Sequence, residues 1–170
     1  ADPAEAARAA AAQLEEATLA LQGAVTARDR VRALTNGPMT AHEGDVRDGA
    51  ALSEVCADFK PDAVIHFAGL KAVGDSMERP VDYYDVNVQG TLQLLRAMDG
   101  CGCKQMIFSS SATVYGEPQY LPYDEAHPLN PTNVYGRTKM IAEHVISDWA
   151  NAVGGTAVLL RYFNPVGAHP

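Results

Sequence analysis

From Met39 onward, short strand-like runs alternate with longer amphipathic segments, and this alternation constrains the fold more than any other feature of the chain. It is the pattern of a parallel sheet whose strands are joined by crossover helices. Met39 to Glu43 predicts a short first strand. Gly49 to Phe59 predicts a helix stopped by Lys60-Pro61-Asp62, and Ala63 to Phe67 an apolar run of buried-strand type. Arg79-Pro80 opens a helix running to about Met98, and Gln105 to Ser109 is the next strand. A helix from Asn133 to Ala152 and a last strand from Thr156 to Tyr162 follow. The stretch between Tyr115 and Thr132 holds four of the ten prolines, so it reads as loop. The expected class is α/β.

The first 35 residues differ from everything after them. Twelve of the first 27 are alanine, a strong helix former. Asp2 suits a helix cap, Pro3 the first helical position, and Glu5 stands three residues after the cap. Leu14, Leu21 and Val25 recur at roughly helical spacing, and Asn36-Gly37-Pro38 stops the run. The expected division is therefore an Ala-rich helical segment over 1–35 and an α/β domain over 36–170.

The charge of -8 from 13 basic and 21 acidic residues argues against a surface for nucleic acid. No apolar run is long enough to span a membrane, and no signal-peptide pattern opens the chain, so a cytoplasmic location is expected. Cys56, Cys101 and Cys103 lack common zinc or redox spacing and read as free thiols. His42, His66, His127, His144 and His169 are scattered without ligand spacing, so no metal is expected.

Chemistry concentrates where the predicted strands end, the edge on which parallel sheets bind ligands. Ala68-Gly69-Leu70-Lys71 follows one strand: Gly69 lets backbone approach a ligand, and Lys71 offers charge to phosphate or sugar hydroxyls. Ser110, Ser111 and Thr113 follow the next and offer hydroxyls. Phe163 and Asn164 follow the last. Tyr135 and Lys139 stand four apart on a helix, hence on one face. An ammonium there favours the phenolate, making the tyrosine a candidate base. Singly, each feature is better read as a turn, a cap or an ordinary helix surface. Together they point to a sugar or nucleotide site.

Four runs carry a resemblance. His66-Phe-Ala-Gly-Leu-Lys-Ala-Val-Gly74, Phe108-Ser-Ser-Ser-Ala-Thr-Val-Tyr-Gly116, Tyr135-Gly-Arg-Thr-Lys139 and Leu160-Arg-Tyr-Phe-Asn-Pro-Val-Gly-Ala-His169 closely resemble the UDP-glucose (UDP-galactose) 4-epimerase family, within the extended short-chain dehydrogenase/reductases. The resemblance covers about Arg28 to Pro170. It implies a partial Rossmann-like parallel sheet with flanking helices, NAD as cofactor and a UDP-hexose as substrate. By this resemblance Tyr135 is the base for the sugar 4-hydroxyl, Lys139 holds the nicotinamide ribose and lowers the tyrosine pKa, and Ser111 bonds the same hydroxyl. Asp45 and Val46 match contacts to the adenine side of NAD, and Phe67, Ala68, Gly69 and Lys71 the loop near its phosphates and ribose. Asn87 matches a further cofactor contact. Lys71, Ser111, Ala112, Thr113, Tyr135, Tyr162, Phe163 and Asn164 match substrate contacts, with Tyr162 and Phe163 also beside the cofactor. Related sugar dehydratases carry an Asp-Glu pair after the hydroxyl residue. Ala112-Thr113 stands there instead, with no acid to protonate a leaving group, so epimerisation is preferred.

The family pattern also implies a glycine-rich first strand-turn-helix and a C-terminal substrate domain. No Gly-x-x-Gly-x-x-Gly spacing precedes Gly69, and the Ala-rich segment occupies its place. On that comparison the chain is a partial family member. Met39 to Glu43 is expected to pair with Ala63 to Phe67, or the Ala-rich helix to cover the sheet, since a bare edge recruits other chains and offers a route to a homo-oligomer. The alternative reading is an inactive epimerase-like fragment, or an interaction module working through the N-terminal helix, that does not bind NAD.

Overall fold

The computed structural model describes residues 28–34 and 39–166. The chain divides into two compact units, Ala1–Glu43 and Gly44–Pro170. In the first, residues 28–34 are helical and 39–43 carry no regular structure. The rest of the expected Ala-rich helix lies outside the described residues. The strand expected from Met39 to Glu43 does not form. That run contains Thr40, His42 and Glu43 and has only Met39 as a large apolar side chain, so it has no alternating face to bury.

The second unit begins with α1 (Gly49–Phe59). Asp48 caps it by accepting from the backbone N–H groups of Ala50 at 3.1 Å and Ala51 at 3.0 Å. Lys60 closes it in the left-handed conformation, its N–H donating to the Cys56 carbonyl. Then come β1 (Val64–His66) and the short α2 (Val73–Glu78). A long helix follows in three parts: α3 (Pro80–Tyr83), a π-helical stretch (Tyr84–Gln89) and α4 (Gly90–Cys101). After β2 (Gln105–Ser111) and a 3₁₀ turn (Ala112–Val114), the chain loops to α5 (Val134–Val153) and ends in β3 (Thr156–Tyr162).

The strands form one parallel sheet in the order β1-β2-β3. Val64 pairs with Met106, and Ser111 with Tyr162, so all strand ends point the same way. Among the described residues no strand lies on the outer side of β1. Met106 and Phe108 of β2 turn one face of the sheet towards Leu94, Leu95 and Met98 of α4 and Ala142 and Ile146 of α5. This is the core, and burying each large side chain in it stabilises by about 1.5–3 kcal/mol. Ile65, Val158, Leu160 and Tyr162 lie on the opposite face and remain exposed.

Two connections matter for the site. Gly116, at φ 69°, sits against the Asn130 carbonyl, where a Cβ has no room, and this pins the entry of the proline-rich loop to its exit. His127, buried in that loop, accepts from the Gln119 N–H at 3.0 Å and donates through Nδ1 to the Pro128 carbonyl at 2.9 Å. Its ring packs among Tyr115, Tyr120 and Tyr123. A loop that sequence alone leaves shapeless is thus anchored by one imidazole.

Candidate functional site

Three strand ends and the start of α5 meet on one edge of the sheet. Val134 begins α5 because Asn133 caps it, accepting from the Gly136 N–H at 2.7 Å. The N–H of Tyr135, another donor left over at a helix start, is taken at 3.1 Å by the hydroxyl of Ser76 on α2. Ser76 is fully buried and donates its own proton to the Val73 carbonyl at 2.6 Å. Helix α2, absent from the sequence reading, therefore sets where Tyr135 begins. A Cβ on Gly136 would come 2.7 Å from the Thr113 carbonyl, which brings the first turn of α5 hard against the 3₁₀ turn that follows β2.

Lys139 is 5% exposed. Its ammonium donates to the Ser109 carbonyl at 2.9 Å and lies 4.7 Å from the Phe108 ring centre and 5.9 Å from that of Tyr135. Burial lowers its pKa to about 8, so at neutral pH it is still mostly charged. A Cβ built on Gly69 would stand 3.7 Å from the same ammonium. One buried cation thus adjoins both Tyr135 and the Gly69 turn.

Asn87 holds that turn. Its Oδ1 accepts from the Leu70 N–H at 2.8 Å, and its Nδ2 donates to the Leu70 carbonyl and to Thr138 Oγ1, each at 3.0 Å. Thr138 in turn donates to the Tyr135 carbonyl at 2.8 Å. The π-helical stretch carries Asn87, fitting the tendency of such bulges to aim a functional side chain. Expected as a cofactor contact, Asn87 has its amide engaged with Leu70 and Thr138.

Behind it, Thr91 donates to the Asn87 carbonyl at 2.6 Å, so its oxygen can only accept from His66 Nε2 at 3.0 Å. His66 therefore carries its proton on Nε2. Burial first, and the Lys139 charge second, lower its pKa to about 4. The folded state keeps this ring neutral while the unfolded chain protonates it below about 6.5. Stability is therefore expected to fall as pH drops from 6.5 to 4, by about 3 kcal/mol over the window. Urea midpoints at pH 7 and pH 4 measure it, and a His66→Asn variant should lose that slope. Asp45, with its pKa lowered from 3.8 to about 2, acts below this window.

Ser111 accepts from Thr113 twice, from its N–H at 3.2 Å and its hydroxyl at 3.0 Å. Both bonds use oxygen lone pairs, leaving the Ser111 proton for another acceptor. Ser111, Ala112, Thr113, Tyr162, Phe163 and Asn164 line one cavity of 270 Å³, with Tyr123 on its wall. Tyr135 and Lys139 are outside that lining. Phe67 and Lys71 are exposed on the loop after β1.

Asp45 and Val46 stand apart from this group. Val46 packs against Gly90, where a Cβ would approach to 2.5 Å. Asp45 is bound by Arg47 at 2.6 Å, and Arg47 also reaches Asp85 at 2.6 Å. The Arg47 side chain and then its N–H hold the Asp45 carboxyl down.

A second buried network went unread in the sequence. Glu143, 1% exposed, accepts from the Ser110 hydroxyl and pairs with Arg161 of β3 at 2.7 Å. Arg161 also donates to the Tyr115 hydroxyl at 3.1 Å. Glu143 lies four residues after Lys139, on the same helical stripe, and that spacing was the available signal. Among the described residues no His, Cys, Asp and Glu cluster forms a metal site, and no helix is long and apolar enough to cross a membrane.

The family model described as the NAD dependent epimerase/dehydratase family matches residues 7–170. Mouse UDP-glucose 4-epimerase is 54% identical over 142 residues, which are 82% of this chain and 41% of that protein. The crystal structure of UDP-glucose 4-epimerase from Bifidobacterium longum in complex with NAD+ and UDP aligns with a TM-score of 0.79 at 50% identity, covering 83% of this chain and 43% of that one. The Stenotrophomonas maltophila enzyme with bound NAD and formylated UDP-arabinopyranose aligns with a TM-score of 0.78 at 39% identity, covering 83% and 42%. The chain spans about two fifths of the length of the curated relatives it matches.

Proposed function

The chain belongs to the NAD dependent epimerase/dehydratase family, and on that premise we propose that it carries the catalytic set of a UDP-glucose 4-epimerase, which interconverts UDP-glucose and UDP-galactose. The observation that carries this reading is the buried ammonium of Lys139 between the Tyr135 ring and the Gly69 turn. A cation at that point stands beside the Tyr135 ring and faces the loop proposed for the cofactor.

The residues present suit NAD at that turn: Gly69 lacks a side chain that would meet Asn87 Oδ1 at 2.9 Å, so its backbone stays open to a ligand. Phe67, Ala68, Gly69, Lys71 and Lys139 would hold the ribose and phosphate side, with Asn87 fixing the turn through Leu70, Tyr162 and Phe163 would flank it, and Asp45 and Val46 would face the adenine. Bound NAD supplies a hydride acceptor for C4 of the hexose. Tyr135 removes the proton of the 4-hydroxyl. Lys139 keeps its charge beside the developing phenolate, and Ser111 turns its unshared proton towards the sugar oxygen. Thr113, Ala112 and Asn164 line the cavity proposed for the sugar, and Lys71, exposed on the loop after β1, would meet its hydroxyls. The reaction has no net redox change, so it needs no second substrate. A cytoplasmic location accords with nucleotide-sugar chemistry.

The test is cofactor content and turnover together. The purified protein should release nicotinamide on denaturation and convert UDP-galactose to UDP-glucose without added oxidant. Protein free of NAD that shows no saturable NAD binding and no conversion would sink the reading.

A further inference from the structure

Three thiols gather away from the site, at the far ends of α1 and α4. These helices pack side by side, and because Val46 lies at Gly90 and Gly49 at Gln93 they run the same way. Gly49 opens α1 beside Gln93 of α4, since a Cβ there would come 2.6 Å from its Oε1. Seven residues on from Gly49 is Cys56, and eight on from Gln93 is Cys101. At about 1.5 Å of rise per residue the two cysteines reach the same level. Leu52, one turn before Cys56 on the same face, packs into the cluster that contains Cys103 and touches Cys101.

Hydrogen bonds distinguish Cys101 from Cys103. Cys101 donates to the Met98 carbonyl at 3.4 Å, back along its own helix, while Cys103 donates to the Gln105 carbonyl at 3.8 Å, on the strand side. Cys101 and, after it, Cys103 are the sulfurs whose charge acts on Cys56. Cys101 and Cys103 thus address different carbonyls although one residue separates them. Cys101 is the part-exposed member, and Cys56 and Cys103 are buried. Burial, with the neighbouring sulfurs next, also raises the Cys56 pKa, so it stays a thiol until a disulfide is within reach.

We propose that Cys56 and Cys101 are a modification site, a dithiol that low-molecular-weight disulfides oxidise to an intrachain bond joining α1 to α4. The Cys101 thiolate attacks one sulfur of the reagent, forming a mixed disulfide and releasing one thiol. Cys56 then loses its proton and attacks the Cys101 sulfur, releasing the second thiol. Two protein thiols become one disulfide, and one small disulfide becomes two thiols, which balances electrons and protons. Adjoining faces of helices packed ~8–10 Å apart bring Cα atoms into the ~4.4–6.8 Å range that a ~2.05 Å S–S bond needs.

Incubating the folded chain with oxidised glutathione, alkylating it and mapping peptides without reduction tests this. The Cys56 peptide should appear joined to the Cys101–Cys103 peptide, two hydrogens lighter than the pair. Fragmentation should place the bond on Cys101 and the alkyl group on Cys103. Cys103→Ala should leave the crosslink unchanged, and Cys101→Ala should abolish it. A bond from Cys101 to Cys103, a bond from Cys56 to Cys103, or glutathione on Cys101 with Cys56 still alkylated would overturn the proposal.

Discussion

Tyr135→Phe is expected to lower epimerisation by about 10²–10⁴-fold, the range for losing a general acid–base group, while NAD content stays unchanged. The substitution removes one oxygen and keeps the ring. Nothing that positions the residue depends on that oxygen: its N–H is held by Ser76, its carbonyl by Thr138, and the packing of Gly136 fixes the turn beside it. Lys139 keeps its place through the Ser109 carbonyl rather than through the phenol. A loss of turnover with cofactor retained therefore reports the proton and not the fold. Conversion of UDP-galactose, measured beside released nicotinamide, checks it; turnover equal to that of the unchanged protein would remove Tyr135 from the role of base.

Glu143→Ala should be the most damaging single change to stability, costing about 3–5 kcal/mol, the range for breaking a buried ion pair by removing one partner. The carboxylate side chain is 2% exposed and the Arg161 guanidinium 19%. Without Glu143, the arginine keeps only its bond to Tyr115 among the contacts described above, and the Ser110 hydroxyl loses its acceptor. Against a typical total of about 5–15 kcal/mol, a loss of that size brings the chain close to unfolding. A urea titration measures it as a lower midpoint at constant slope. Glu143→Gln, which preserves shape and one acceptor, should lose less. A cost below about 1 kcal/mol for the alanine variant would mean that solvent already screens the pair.

Local chemistry made much of this architecture legible. Helix α1 spans the residues expected because Asp48 caps it and Lys60-Pro61 ends it, both signals contained within a few residues. Strand β3 likewise covers Thr156–Tyr162, with alternate side chains facing the core. Met39 to Glu43 misled because a strand's existence depends on a partner and a buried face, which five residues do not encode. Helix α2 went unseen for a related reason. It spans six residues without a side-chain cap, and what places Ser76 is the start of another helix 59 residues away.

The site divides in the same manner. Ser111, Ala112, Thr113, Tyr162, Phe163 and Asn164 could be grouped in advance because parallel strands put their ends on one edge, and they do line one cavity. The bonds made by Asn87, Thr138 and His66 were not readable. Each depends on which of several nearby carbonyls and hydroxyls supplies the partner, and that choice is made in three dimensions.

The amide of Asn87 has a consequence for the lifetime of the molecule. Its nitrogen gives one proton to the Leu70 carbonyl and one to Thr138, whose own proton is already engaged with Tyr135. Deamidation would put a carboxylate oxygen there, facing a carbonyl with no proton between them. Spontaneous hydrolysis of a single side chain would therefore loosen the Gly69 turn and the start of α5 together, ageing two parts of the site in one event.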